Sequence, residues 1–377
     1  MEFARRMLKV TPSATFKYSA LAKKPGIINL TIGRPDFSTP TVIKEAAKKA
    51  LDEDKVHYTP TRGIPELREK IALKLEKENK IVGLDKDRIL VGGGAKSILF
   101  QAILAVIDKG DVFALPDPSW VSYESMIYLA EGDIHWLPLK PENGFIPDDD
   151  FLAELENSKA KFTLLNSPNN PTGAAYPQKI IDRIVDICER KDMWLISDEP
   201  YELFQYEGRH YSPGSRYEKT ITVNAFSKTY SMTGWRIGYA ACKDKEIIDR
   251  MALVQEQSLS CPTSFAQYGS LAAFTKEAND AARKMAEEFK KRRDYCMKMM
   301  EKINALCVKP SGAFYLFPYF KGEDDMKLAE KLLEKGLGVI PGSPFGSKGN
   351  GCIRISYGSA SREKLENAFD ILKEVTG

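Results

Sequence analysis

The sequence predicts an α/β fold: a large domain built on a mostly parallel sheet covered by helices on both faces, with a smaller α+β domain beside it. Three observations lead there. From about residue 88, short apolar runs alternate with longer segments whose apolar residues recur at helical spacing. The short runs are apolar throughout, as in strands covered on both sides, where half-exposed strands would alternate. Several of them end in a polar cluster, and the carboxyl ends of the strands are where a parallel α/β sheet gathers its ligands.

The elements follow in order. DRILVGGG (87–94) leads into the helical pattern AKSILFQAILAVI, and DVFALPDP (111–118) into WVSYESMIYLA. KFTLLNSPNNPTG (161–173) precedes QKIIDRIVDICERK, and MWLISDEPY (193–201) and TITVNAFSK (220–228) complete the series. Residues 264–304 predict long amphipathic helices rich in Lys, Arg and Met. AFYLFPYF, GVIPG and CIRISYG then read as short strands separated by a helix, and a last helix is expected near 361–375. The expected division is a large domain over 44–285 and a small domain over 286–377, joined by an N-terminal arm, 1–43.

Composition narrows the function. With 43% hydrophobic and 28% charged residues, the 377-residue chain is an ordinary globular one. Its 55 basic and 52 acidic residues leave a net charge of +3, spread along the chain, which argues against nucleic acid or an anionic membrane as partner. The six cysteines form no CxxC pair and there are three histidines, His57, His135 and His210, so neither a metal site nor a disulfide framework is expected. Reduced thiols, the lack of a signal-like apolar core in MEFARRMLKVTPS and the lack of a membrane-length apolar run give a soluble, cytoplasmic reading.

The polar clusters carry the chemistry. A lone lysine is ordinarily a solvated surface charge, but Lys228 ends an apolar strand, eight residues before Arg236. In a crevice such a lysine sheds its proton more easily and can bond a carbonyl cofactor, while the arginine fork suits a phosphate. Asp198 ends another strand; it reads as a cap or ion-pair member, or as the partner of a pyridinium nitrogen. Tyr201 and Asn170 could bond a ring oxygen, although NNPTG is also a good turn sequence. Gly92-Gly93-Gly94-Ala95-Lys96 is a glycine-rich turn entering a helix, a phosphate site in its own right, with neither GxGxxG nor GxxxxGK spacing. Trp120 and Tyr123 read as core aromatics or as partners for a flat ring.

These residues sit in motifs that resemble the class I aminotransferases of the fold-type I pyridoxal-phosphate group. TIGRPDFSTP (31–40), YTPTRGIPELR (58–68), PSWVSYESM (118–126), NSPNNPTG (166–173), SDEPY (197–201), SKTYSMTGWRIGY (227–239), GAFYLF (312–317) and IRISYG (353–358) occur in the family's order. The PSAT opening (12–15) and the GAKS segment are similar to the prokaryotic aspartate aminotransferase branch. The resemblance implies pyridoxal 5'-phosphate as cofactor and a ping-pong transfer of an amino group to a 2-oxo acid. It implies that Lys228 is the Schiff-base lysine and proton shuttle, that Asp198 pairs with the ring nitrogen, and that Asn170 and Tyr201 bond the phenolic oxygen. Arg236, Ser227 and the amides of Ala95 and Lys96 would take the phosphate, and Trp120 would stack on the ring. Arg354, helped by the Gly33 amide, would grip the substrate carboxylate. Tyr58 would reach the phosphate of a neighbouring subunit, which requires a homodimer.

Two positions depart from the pattern. Ala225 stands where many relatives carry Ser or Gly, and Arg34 where acidic or uncharged residues are common. Lys96 reads as an exposed helix lysine, while the resemblance to the aspartate aminotransferase branch implies the partner of an acidic substrate side chain. The second reading gives aspartate as donor and 2-oxoglutarate as acceptor. Aromatic or alanine donors stay open, as does a β-lyase or cyclopropane-forming synthase on the same scaffold. A DNA-binding regulator of this fold is disfavoured, since the likeness begins near residue 12.

Overall fold

The structure, a computed structural model, describes residues 3–377. Its strands, in chain order, are β1 (Ile28–Asn29), β2 (Ile89–Gly92), β3 (Val112–Asp117), β4 (Asp133–Pro138), β5 (Phe162–Asn166), β6 (Trp194–Asp198), β7 (Thr220–Ala225), β8 (Gly238–Ala241), β9 (Tyr315–Leu316), β10 (Leu337–Gly338), β11 (Ile340–Pro341) and β12 (Ile353–Ser356). Seven of them form one sheet in the order β2-β8-β7-β6-β5-β3-β4. Every neighbouring pair from β7 to β4 is parallel, and β8 alone runs against its neighbours β2 and β7. The mostly parallel sheet expected from the sequence is what forms.

Successive residues of these strands face opposite layers, because side chains alternate across a strand. Leu90, Phe113, Leu115, Leu164, Ile196 and Val223 join a core under the helices Ala95–Val106, Ser122–Leu129 and Lys245–Ser258. Their neighbours Ala114, Leu165 and Leu195 face the helices Asp149–Asn157 and Gln178–Arg190, while Ile89 and Val91 face Pro65–Asn79. Full burial of each Leu or Ile contributes roughly 1.5–3 kcal/mol, which is why fully apolar runs become central strands.

Helix starts are encoded locally. Asp148, Asp244, Thr275, Asp324 and Ser361 each accept an amide from the first turn of the helix that follows, and Pro65 opens its own helix. The helices Lys276–Met300, Asp325–Glu334 and Arg362–Thr376 pack on the antiparallel sheet β11-β12-β9 and the parallel pair β1-β10. Among the described residues no helix is long and apolar enough to cross a membrane.

The registers Gly92↔Gly238, Ala225↔Gly238 and Asn166↔Asp198 bring the carboxyl ends of β2, β5, β6 and β7 to one edge, level with the start of β8. The polar clusters of the sequence meet there.

Candidate active site

A cavity of about 590 Å³ opens at that edge. Of the residues singled out in the sequence, Gly33, Ala95, Lys96, Trp120, Asn170, Asp198, Tyr201, Ser227, Lys228, Arg236 and Arg354 line it. Tyr58 does not; it stands on the surface, 92% exposed. Arg34 is also exposed, outside the cavity, and Ala225 is buried in its wall.

Lys228 lies in a single helical turn, Phe226–Thr229, directly after β7. Its Nζ donates to the Gly33 carbonyl at 2.6 Å. Burial, and then the cations of Arg354 and Arg236, push its pKa down to about 8, against the pull of Asp198. Gly33 has no room for a side chain: a Cβ there would sit 2.4 Å from the Tyr315 hydroxyl.

Asp198 ends β6 and is buried. Tyr123 donates to its Oδ2 at 2.5 Å, while its Oδ1 is buried with no partner. Burial, opposed by the Tyr123 bond and reinforced by Glu199, pushes its pKa up to about 7. Asn166 ties the neighbouring ends together, donating to the Asp198 carbonyl at 2.9 Å and accepting the Asn170 amide at 2.8 Å.

Arg354, on β12, is buried, which lowers its pKa. Its Nη1 donates to Asn170 Oδ1 at 2.9 Å, its Nη2 to the Thr31 carbonyl at 2.7 Å, and its Nε has no partner. Tyr315 faces this guanidinium at 4.8 Å and shares a 2.8 Å hydrogen bond with Tyr201. Burial beside Tyr315 raises the Tyr201 pKa well above its ordinary value, so that hydroxyl stays protonated.

The other end of the cavity is built for an anion. Gly94, at φ +88°, turns the chain into the helix Ala95–Val106, whose first amides lack a side-chain cap. Arg236 leans over that turn, with its Nη2 3.1 Å from the Gly93 carbonyl and its Nη1 2.9 Å from that of Thr233. A Cβ on Gly94 would lie 2.4 Å from Arg236 Nη2, so only glycine lets the two approach.

Residues 25–372 match the family model described as aminotransferase class I and II. The chain belongs to that family. The aminotransferase is 40% identical over 384 residues to the aspartate/prephenate aminotransferase of Thermus thermophilus, with 99% of this chain and 98% of that one covered. It is 38% identical over 384 residues to aromatic-amino-acid aminotransferase 2 of Thermococcus litoralis, with 100% and 98% covered. Among solved structures, an aspartate aminotransferase from Thermus thermophilus with maleate is similar at a TM-score of 0.94 and 39% identity, both chains covered in full.

The aminotransferase is thus an enzyme dependent on pyridoxal phosphate. Its cavity fits that group on its own chemistry. An unpartnered buried carboxylate oxygen matches a protonated ring nitrogen. A lysine of lowered pKa matches the carbonyl, and uncapped helix amides beside an arginine match the phosphate.

Some lining residues were not assigned in the sequence. Tyr315 lay in GAFYLF without a role, because its partner Tyr201 is 114 positions away. Tyr123 was weighed as a ring-stacking aromatic, but its hydroxyl binds Asp198 and its ring meets Trp120 edge-on, 5.2 Å between centroids. Ser13, Thr15, Phe16 and Ser19, from the N-terminal segment, roof the cavity. Only the PSAT motif hinted at them.

Proposed function

We propose that aspartate is the amino donor and 2-oxoglutarate the acceptor of the transfer. Lys96 carries this reading. Its Nζ lies over the rings of Trp120 (4.8 Å) and Phe16 (5.6 Å), in the same cavity as Arg354. Among the described residues no carboxylate neutralises it, and burial followed by the Arg236 charge lowers its pKa. A desolvated cation without a counter-charge favours a ligand that brings one. Two cations in one cavity suit a substrate with two carboxylates, and relatives bearing the name aspartate aminotransferase support the choice. The apolar Phe16, Ile32 and Trp120 in the same lining favour a second reading, in which aromatic acids are accepted as well.

When bound, pyridoxal phosphate supplies a carbonyl that takes the amino group and a ring that draws off electrons. Lys228 would hold it, and the ionised Asp198 Oδ1 would keep its ring nitrogen protonated. Asn170 and the protonated Tyr201 would hold the phenolic oxygen, with Trp120 against the ring face. Arg236, Ser227 and the amides of Ala95 and Lys96 would hold the phosphate. Arg354 and the Gly33 amide would orient the α-carboxylate. The Lys228 amine, its pKa lowered to about 8, would serve as the base that takes up and gives back the substrate's α-proton. The hydroxyls of Ser13, Thr15 and Ser19 would close the cavity against water.

The exposed Tyr58 ring supports a homodimer in which it meets the phosphate of the partner. Six free cysteines support a reducing, cytoplasmic setting. The substrate reading is tested with Lys96→Ala. Its preference for aspartate over alanine in kcat/KM should fall roughly ten- to a hundred-fold, the range for a lost charge-assisted contact. An unchanged preference would discard the reading.

A further inference from the structure

Behind the active-site cavity lies a second one, of about 420 Å³, and Ala225 lines both. Its floor is Asn224 and the turn that carries Lys228; its rim holds Lys77, Lys80 and Arg209, with His210 on the wall.

Two observations show what is missing there. Among the described residues, no carboxylate lies within ion-pair distance of Lys77, Lys80 or Arg209, although Glu78 and Glu202 share the lining. The wall and floor also hold polar atoms that nothing satisfies. Asn224, 2% exposed, accepts the Ala225 amide through Oδ1 at 2.7 Å, but its Nδ2 has no partner. His210 bonds the Glu199 carboxylate through Nε2 at 2.8 Å, and its buried Nδ1 has none. Burial works against a charge on this imidazole, but Glu199 and Glu202 outweigh burial and the nearby Lys74, so its pKa is raised. A charged His210 presents a second idle donor.

A metal ion does not answer this need. Glu199, Glu202 and His210 stand close together, but their carboxylates are filled. Glu199 accepts from Ser197, Ser212, Asn79 and His210, and Glu202 from Lys74 and Asn79. What is left over is the buried Asn224 donor, a buried imidazole nitrogen whose protonation Glu199 and Glu202 favour, and three cations with no carboxylate partner among the described residues, the complement of an anion.

We propose that this cavity is a second binding site, for a small oxyanion carrying two negative charges, as inorganic phosphate or a dicarboxylate does. It is separate from the substrate cavity, and its occupant would rest on the segment that ends in Lys228. The inference does not depend on which amino acid is the substrate, because binding is read without turnover.

The test uses the cofactor-loaded enzyme, whose own phosphate site is filled. Phosphate and succinate are each titrated by calorimetry against the wild type, the double variant Lys77→Ala/Arg209→Ala, and Lys96→Ala. The double variant changes exposed rim residues only, and an unchanged melting temperature certifies its fold. Succinate also suits the substrate cavity, so its binding counts only as the part that persists in Lys96→Ala. Expected is saturable binding of at least one probe that persists in Lys96→Ala and is weakened about tenfold or more by the double variant, which keeps the wild-type aspartate KM. The probe that binds identifies the source. Absence of saturable binding by either probe overturns the proposal. So does binding equally tight in the double variant, or binding lost in Lys96→Ala, which would place the anion in the substrate cavity.

Discussion

Replacing Tyr123 with Phe deletes one hydroxyl and leaves a buried ring of the same shape. Among the described residues that hydroxyl is the only side-chain donor to Asp198, at 2.5 Å, and it stabilises the ionised carboxylate. A hydrogen bond to a charged group contributes roughly 1.5–3 kcal/mol, and about 1.4 kcal/mol corresponds to one pKa unit. The Asp198 pKa of about 7 should therefore climb by about one to two units. In the cofactor-free protein at pH 7 the ionised share then falls from about half to between about a tenth and a hundredth; in the loaded enzyme the same loss of ionisation, and with it a rate loss of roughly five- to fifty-fold, is expected on the acidic limb. A bound pyridinium lowers the carboxyl's pKa in both proteins, so the difference between them survives. The assay is the single-turnover reaction of loaded enzyme with aspartate, followed by cofactor absorbance from acid to alkaline pH. The acidic limb should move upward by about one to two pH units, with activity recovering at high pH. A Tyr123→Phe enzyme with an unmoved limb and a rate within about twofold of wild type would refute the reasoning.

Three further outcomes are expected. Lys228→Ala should lose turnover altogether while remaining folded, because both the cofactor anchor and the base are gone; substantial residual transamination, read by product analysis, would contradict its role. Gly94→Ala should weaken cofactor retention at least about tenfold, measured by dialysis, since the new methyl lies 2.4 Å from Arg236 Nη2 on a backbone at φ +88°. In the cofactor-free protein, the Asp198 carboxyl keeps its proton until about 7, whereas an unfolded chain releases it near 3.8. Between those values the folded state holds a proton the unfolded state has lost, so stability falls as pH rises, by up to roughly 4 kcal/mol. Cofactor-free Asp198→Asn should therefore melt above wild type at pH 8 and level with it near pH 4; a gap independent of pH would count against this.

How much was legible follows from burial. The strands β2, β3, β5, β6 and β7 were readable because both faces are covered and every other side chain could still be apolar. Strand β4 was not, because most of its residues are only half-buried, unlike those of β2, the other edge strand. Strand β8 was missed for another reason: it is four residues of Gly, Tyr and Ala directly after a polar loop. In the site, residues at strand ends declared themselves through the contrast between an apolar run and a sudden Asp, Asn or Lys. Tyr315 did not, since its partner Tyr201 is reached only by the closed fold, and Tyr58 lies on the surface outside the cavity.

The bond from Lys228 to the Gly33 carbonyl makes the amine a fastener for the segment leading back to the roof. A nitrogen engaged elsewhere cannot donate to that oxygen with the same geometry. The same nitrogen that would bond the cofactor is therefore also the tie between the β7 end and the Gly33 turn, so a change of partner at Lys228 is felt by a backbone carbonyl 195 positions away.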